Sequence, residues 1–204
     1  MKRRIQSVFL TLVFVVTTTG AQVVSGLGVR AGVVAAEQSW QYQNDTELKT
    51  NIRWGLTASL SLELFGREPI SITSEIQYSQ MGMKYLIEGS SAEIISLGPI
   101  IHYLSFPILV AYNSSYTEYA PCLFVGPRVD VLLFANGNGF SSGTDEFEPV
   151  DFGITAGVGF ELPVGFDHRI ILELRLNLSL TQSLNNEMWQ VRNQTWGILI
   201  GVIL

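Results

Sequence analysis

The chain has 204 residues, of which 47% are hydrophobic and 15% charged, and its formal net charge at pH 7 is −6. This length suits one domain, the acidic balance argues against a nucleic-acid partner, and the single cysteine, Cys122, excludes an internal disulfide. The fold must therefore be held together by side-chain packing or by a closed sheet.

The first 21 residues have the features of a secretory signal peptide. Three basic residues at positions 2 to 4 precede an uncharged apolar run, Val8–Val16, and small residues lead up to Ala21. The run is much shorter than the ~20 residues of a membrane-spanning helix, so we expect cleavage, with a retained helical anchor as the alternative. Cleavage after Ala21 leaves residues 22–204 as a single exported domain of net charge −9, because the three basic residues are removed.

Apolar and polar residues then alternate in eight successive segments. A period of two predicts β-strands with one apolar and one polar face. The segments are residues 27–35, 52–64, 70–80, 102–112, 123–133, 151–162, 170–181 and 195–204. Most have about 9 to 13 residues, whereas strands of soluble proteins typically have about 5 or 6. A tilted strand of about 9 to 11 residues is long enough to cross a bilayer.

The connections differ in length at the two ends of these strands. Residues 37–51, 86–97, 134–150 and 182–194 form long polar connections, residues 65–69 and 163–169 form short ones, and residues 113–121 are intermediate. An even number of strands with long loops at one rim and short turns at the other is typical of outer-membrane barrels. The sequence therefore predicts an all-β fold, an eight-stranded antiparallel transmembrane up-and-down β-barrel with a filled polar interior.

Residue types on the two faces indicate which face points outward. A soluble lipocalin-like barrel would show the same period with its apolar face inward, but its polar face would need solvating residues such as lysine. After the signal peptide the only lysines are Lys49 and Lys84, and the polar face is rich in glycine, serine and threonine. The apolar face has no charged residue, as expected of a surface in lipid, where a basic residue costs roughly 2 to 4 kcal/mol at the bilayer midplane.

Nine charged residues share the polar face, and we expect them to form a structural charge network inside the barrel. They are Arg30, Arg53, Glu63, Glu75, Arg128, Asp130, Glu161, Glu173 and Arg175. Charges away from bulk water persist when they are paired and hydrogen-bonded, so we expect each arginine to contact a carboxylate. A proton or ion path along the same residues is the alternative.

Aromatic residues on the apolar face fall into two bands near the strand ends. Trp54, Tyr78, Phe152 and Trp196 lie near the long connections, and Tyr112 and Phe160 lie near the short ones. Two such bands are expected at the two membrane–water interfaces.

The sequence offers few candidates for enzymatic chemistry. Of the two histidines, His102 has the parity of the apolar face and His168 lies in a short turn at the rim opposite the long loops. Neither is placed to act as a base for Ser141 or Ser142, and Cys122 is interpreted as a small packing residue. We therefore expect no enzyme, no catalytic residue and no cofactor.

Two loop patterns suggest ligands but have simpler explanations. Asp145, Glu146, Glu148 and Asp151 are carboxylates of the kind that bind calcium, yet they lack a ligand loop of recognisable spacing, and a solvated loop is the better reading. Gly137, Gly139 and Gly143 lack the strand-to-helix context of a phosphate loop. We expect no metal site.

Three of the strands carry a resemblance to a known family. YLSFPILVAY (Tyr103–Tyr112), FVGPRVDVLL (Phe124–Leu133) and DFGITAGVGFEL (Asp151–Leu162) resemble strands of the PorT-like outer-membrane β-barrel family of Bacteroidota. The similarity extends over essentially the whole mature chain, and it implies fold and location rather than task. Such chains usually end on an aromatic residue that the assembly machinery reads, whereas this one ends on Leu204, a departure that bears on assembly.

These features lead to an expected function. We expect a small protein of the bacterial outer membrane, surrounded by lipid, whose four long loops contact a surface or envelope protein. A narrow pore or an accessory barrel of a secretion system is the alternative, and an outer-membrane enzyme is a third.

Overall fold

The computed structural model describes residues 24–42, 47–48, 51–67, 69–88, 94–114, 120–138, 147–164, 168–181 and 189–204. The expected signal peptide and its cleavage site after Ala21 lie outside these ranges. The same is true of Ser141 and Ser142 and of the loop carboxylates Asp145 and Glu146.

Ten strands make up the described structure, eight of them long. They are β1 (Val24–Tyr42), β2 (Glu47–Leu48), β3 (Arg53–Arg67), β4 (Ile70–Gly82), β5 (Tyr85–Glu88), β6 (Ile94–Asn113), β7 (Ala120–Asn138), β8 (Val150–Val164), β9 (His168–Ser179) and β10 (Trp189–Ile203). Each long strand pairs antiparallel with the next long strand in sequence, and β10 returns to pair with β1 from Gly28↔Ile203 to Tyr42↔Trp189. The prediction of a closed eight-stranded antiparallel barrel is confirmed. The short strands β2 and β5 extend the hairpins at the long-loop rim.

The strands reach further toward the long loops than the apolar alternation predicts. Strand β1 continues to Tyr42, β6 starts at Ile94, β7 continues to Asn138 and β10 starts at Trp189. The predicted loops 37–51, 86–97, 134–150 and 182–194 therefore include residues that belong to strands. Outward residues beyond the apolar band, such as Glu37, are polar, so alternation of hydrophobicity stops there while backbone pairing continues.

The outward face is apolar and the inward face is largely polar, as the alternation predicts. Among the residues that the structure describes, thirty-three large hydrophobic side chains are exposed, including Val29, Leu60 and Ile200 at 50% or more. Buried residues include serines, threonines, glutamines and ionisable side chains. The aromatic residues Trp54, Phe152 and Trp196 near one rim, and Tyr112 and Phe160 near the other, are all exposed on the outside.

The interior also contains apolar groups that the sequence analysis did not assign to it. One apolar cluster lies at the long-loop end and consists of Ala36, Met81, Met83, Ile101, Tyr103, Phe147 and Val191. A smaller one, Leu109, Cys122 and Phe124, lies nearer the short turns. The inward face of residues 102–112, which carries Tyr103 and Leu109, is only weakly polar. This is the sequence feature that indicates apolar groups in the interior. The lumen is thus filled in layers of alternating polarity.

Across the described ranges, no helix has the length and apolar character needed to cross a membrane.

Candidate functional site

Two arginines and two glutamates form an ion quartet in the middle of the barrel. Arg175 on β9 donates from Nη1 and Nη2 to the two carboxylate oxygens of Glu75, at 2.7 and 2.8 Å, and from Nε to Glu173 at 2.7 Å. Arg30 donates from Nε to Glu173 at 3.0 Å and lies 3.3 Å from Glu75 Oε1. None of the four is more than 5% exposed, and their formal charges cancel.

The strand register and a glycine explain how the quartet is assembled. Arg30, Glu75, Glu173 and Arg175 all have inward parity on β1, β4 and β9, and strand tilt brings them to one level. Opposite Arg30 lies Gly201, where an added Cβ would be 2.5 Å from the Arg30 Cγ. A larger residue at 201 would therefore displace the arginine from its carboxylates.

The quartet is a neutral group of mutually paired charges. Arg30 also contacts the hydroxyl of Ser61, and the Arg175 guanidinium lies 5.3 Å from the ring centroid of Phe124. Bidentate arginine–carboxylate pairs are among the strongest hydrogen bonds, whereas a buried charge without its partner is costly. The geometry suits a structural plug, because every member of the group is held by an oppositely charged partner.

A second ion cluster closes the short-turn rim. Arg169 at the start of β9 donates to Glu63 and to Glu161, each at 2.6 Å, and links β3 to β8 across the lumen. We call these three residues the rim clamp. Arg169 is not among the predicted interior charges, because the apolar alternation places it in a turn. Its pairing with Pro163 shows that β9 begins earlier than the apolar alternation indicates.

A cavity of about 30 Å³ lies between the rim clamp and the ion quartet. It is lined by Glu63 and Glu161 of the clamp, by Arg30 and Glu75 of the quartet, and by Cys122. This volume holds about two water molecules, since one needs roughly 10 to 15 Å³ measured in this way. It is too small for an organic ligand.

A third ion cluster, the pair formed by Arg128 and Asp130, lies nearer the long loops. Arg128 Nη2 lies 2.7 Å from Asp130 Oδ2, and both side chains are buried. Next to Asp130 on β8, the buried Asp151 accepts hydrogen bonds from Ser179 and Thr181, each at 2.6 Å. Asp151 therefore faces the lumen from a strand and does not belong to the loop cluster with which the sequence analysis grouped it.

Arg53 departs from the expectation that every interior arginine meets a carboxylate. It lies at the long-loop end of β3, is half-buried, and donates to the carbonyl oxygen of Met83 at 3.3 Å. No ion pair joins it to a carboxylate within the part of the chain that the structure describes. Its place near the rim, where solvent is close, accounts for this departure, since a charge there is not cut off from water.

The apolar cluster closes the lumen toward the long loops. Ile101, Tyr103, Met81 and Val191 are at most 1% exposed and project inward from β4, β6 and β10. Below them, Thr155 donates to Asn177, which in turn donates to Thr195, so this level is bridged by side chains from three strands. Together with the ion quartet, these layers place buried side chains at successive heights of the described part of the barrel.

The remaining candidates for chemistry lie apart from one another. His102 has the predicted outward parity, but it is buried beneath Phe134, with ring centroids 3.9 Å apart, and Tyr78 Oη lies 2.7 Å from its Nδ1. His168 is exposed at the short-turn rim, and Cys122 is buried in the lumen. Within the described ranges, no three acidic, histidine or cysteine side chains are grouped so as to hold a metal ion.

Comparisons with known proteins identify the architecture. Residues 21–185 match the family model described as "Outer membrane protein beta-barrel domain". Neisserial surface protein A is similar in structure, with 13% identity, 86% of this chain and 96% of that chain covered, and a TM-score of 0.51. No curated protein matches the sequence.

Two further solved structures resemble the chain less closely. OprG of Pseudomonas aeruginosa is 10% identical, with 88% of this chain and 95% of that one covered and a TM-score of 0.48. Ail of Yersinia pestis, solved with the heparin analogue sucrose octasulfate, is 12% identical, with 88% and 99% covered and a TM-score of 0.44. At these identities the likeness concerns the fold alone.

Proposed function

Because the chain belongs to the outer membrane β-barrel domain family and is a small eight-stranded barrel of the outer membrane, we propose that it has a structural or interaction role, presenting its long loops at the cell surface. The observation that carries this proposal is the filled lumen. The ion quartet, the hydrogen-bonded level above it and the apolar cluster occupy successive heights of the barrel.

The strand extensions support loop presentation. Strands β1 and β10 remain paired up to Tyr42↔Trp189, and β6 and β7 up to Gly98↔Asn138, well beyond the exposed apolar band. Paired strands are stiffer than single loops, so these strand extensions hold the long connections away from the apolar band. In barrels of this class the long loops are extracellular and the short turns periplasmic.

The proposal includes the absence of enzymatic chemistry. His102 has tyrosine as its hydroxyl neighbour and is covered by Phe134, and His168 lies at the rim opposite the long loops. The strands YLSFPILVAY and FVGPRVDVLL, which resemble PorT-like barrels, favour that branch within the broad family. A surface or envelope protein remains the partner that we propose for the loops.

Conductance tests the filled lumen. The folded protein, reconstituted in planar bilayers, is expected to give no single-channel steps, because no continuous water path crosses the quartet. A matched preparation of an outer-membrane porin serves as the positive control. Reproducible steps from the wild-type protein would contradict the proposal and favour a narrow pore.

Loop replacement tests the interaction role. Cells that display the protein are expected to bind the surface or envelope protein proposed as its partner. Exchanging residues 139–146 and 182–188 for short Gly/Ser linkers is expected to abolish this binding. The gel shift on boiling, which reports a folded barrel, should be retained. The control exchanges residues 115–119 of the connection between β6 and β7, and equal loss of binding in that variant would count against the long loops.

A further inference from the structure

Two buried carboxylates lie opposite each other on the inner face of β7 and β8. Asp130 is paired with Asp151, and neither is more than 1% exposed. Directly opposed side chains are attached about 5 Å apart, where like charges destabilise a sheet. Arg128 Nη2 contacts Asp130, so the three side chains carry one positive and two negative formal charges. Excess negative charge away from water is costly, so this group attracts one further positive charge.

The hydrogen bonds of Asp151 indicate that its carboxylate is ionised. Ser179 donates to Oδ2 and Thr181 donates to Oδ1, each at 2.6 Å. Hydroxyl groups bond to an ionised carboxylate at about 2.5 to 2.7 Å, at the short end of their usual range. An ionised carboxylate has about four acceptor positions, so the two hydroxyl bonds leave it able to bind a cation as well.

A neutral oxygen faces the same part of the lumen from β4. Ser105 of β6 is opposite Asp130 on one side and opposite Gln77 on the other. The Gln77 side chain is buried, and its Nε2 donates to Thr57 of β3 at 2.7 Å, whereas Oε1 has no hydrogen-bond partner in the described structure. Because the oxygen and nitrogen of an amide diverge, Oε1 points away from β3 and toward Ser105. We call Gln77, Ser105, Asp130 and Asp151 the oxygen row.

The inward residues around the oxygen row are mostly small. They are Thr57, Ser79, Ser105, Gly153 and Ser179, and all are buried. The interior of an eight-stranded barrel is only just wide enough for its side chains to fill. Small side chains at this height therefore leave room for a group of the size of a water molecule. Tyr103 of the apolar cluster borders this space toward the long loops.

We propose that the oxygen row binds one Na⁺ ion. Its ligands are one carboxylate oxygen from each aspartate, the hydroxyl of Ser105 and Oε1 of Gln77. Oxygen atoms of these kinds are the ligands that hard cations prefer. A single positive charge balances the excess of the two carboxylates over Arg128, and the narrow lumen favours Na⁺ over the larger K⁺. The bound ion links β4, β6, β7 and β8 and stabilises the barrel.

The sequence analysis did not predict this site and expected no metal site. It grouped Asp151 with carboxylates of a loop. The neutral oxygens of Ser105 and Gln77 join the two aspartates only through strand pairing, which the alternation of residues does not specify.

Urea unfolding of the protein in detergent micelles tests the site. N-methylglucamine chloride is replaced stepwise by NaCl at constant ionic strength, because the large organic cation does not fit the lumen. On going from no Na⁺ to about 100 mM, the equilibrium constant for unfolding should fall about tenfold, as for a site with a Kd of about 10 mM. KCl should have a smaller effect.

Variants show whether the oxygen row carries the effect. Asp130→Asn removes a charge with little change of shape and should abolish the dependence of unfolding on Na⁺. Glu37→Gln makes the same change of charge on the exposed face of β1 and should leave the dependence unchanged. Gln77→Leu and Ser105→Ala each remove one neutral ligand and should weaken it. The readout is the response to Na⁺, so a general loss of stability does not count as support.

Several results would overturn the site. One is equal unfolding of the wild type in the two salts, and another is full Na⁺ dependence in Asp130→Asn. If Asp130→Asn shows no gel shift on boiling and so does not fold, an unchanged Na⁺ response in both Gln77→Leu and Ser105→Ala decides against the site. A wild-type response to pH without a response to Na⁺ would show that a proton supplies the positive charge. A larger response to Ca²⁺ at equal concentration would contradict a monovalent site.

Discussion

At the scale of single residues, Arg175 shows what a buried charge requires. Its guanidinium is 1% exposed, its three nitrogens all donate to Glu75 or Glu173, and one face lies toward Phe124. A buried ion pair adds little net stability compared with apolar side chains, but losing one partner leaves the other charged and unpaired. The quartet is therefore a group whose members depend on one another.

Replacing Arg175 by methionine tests this dependence. We expect Arg175→Met to lower the free energy of unfolding by about 3 to 5 kcal/mol, because Glu75 and Glu173 lose their main partner. Urea titration of the protein in lipid-free detergent micelles measures the change. The exposed Arg192→Met is the control, with an expected effect within about 0.5 kcal/mol.

The double variant Arg175→Met with Glu75→Leu separates charge from packing. It removes a whole pair and should recover part of the loss. A single variant no less stable than the control would contradict the quartet as a coupled unit.

The alternation of residues in the sequence predicts that the central charges lie on the inner face. It does not predict which of them form ion pairs with one another. Glu75 meets Arg175 although 100 positions separate them, a contact that depends on strand tilt and barrel closure. Arg169 was missed because apolar alternation does not mark where β9 begins. Arg53 was assigned a carboxylate because the sequence does not show how close a residue lies to the open rim.

At the scale of strands, glycines set how closely neighbours approach. Gly126 of β7 lies beside β6. A Cβ added at Gly126 would overlap the backbone carbonyl oxygen of Ile108 on that strand. At Gly197 of β10, the nearest atoms to an added Cβ are side-chain carbons of Leu199 and Val34, both at 3.2 Å. A side chain can move by tenths of an ångström, whereas a paired strand cannot do so alone.

These two positions form a matched pair for mutation. Gly126→Ala is expected to cost about 1 to 3 kcal/mol of folding stability, because the β6–β7 pairing must separate to admit the methyl group. Gly197→Ala should cost less than about 1 kcal/mol. Midpoints of urea unfolding in micelles give both values, and equal effects would argue against close approach at Gly126.

Strand number, order and sidedness were predictable because each depends on a period of two, which the side chains record directly. Strand ends were not, since pairing is made by backbone groups and continues where outward residues such as Glu37 turn polar. The apolar cluster was missed for a related reason. Met81 and Tyr103 have inward parity, but an interior that closes itself with apolar side chains is indicated only by a weakened contrast between faces.

At the scale of the whole molecule, the exposed apolar band between two aromatic rims matches a bilayer. Among the described residues, none with a charged side chain lies on the outward face between the levels of Trp196 and Phe160. Transfer of such a surface to water would be unfavourable at roughly 25 cal/mol per Å², so the lipid is part of what stabilises the folded state.

Depth in the bilayer should grade the effect of a charge on this surface. Leu174 lies at the middle of β9 and Leu180 just past its long-loop end, and both are exposed. Leu174→Arg is expected to cost about 2 to 4 kcal/mol and Leu180→Arg less than about 1 kcal/mol. Urea unfolding in phosphatidylcholine liposomes measures both, and equal costs would show that the band is not at bilayer depth.

The only cysteine of the chain has a practical consequence. Cys122 is 3% exposed and lines a cavity of about 30 Å³, far too narrow for a maleimide reagent. Folded molecules should stay unlabelled, while opened ones take up one tag and gain a fixed mass. Maleimide labelling of Cys122 in the native chain therefore measures the fraction of unfolded molecules. Assembly in cells can be followed without an engineered reporter.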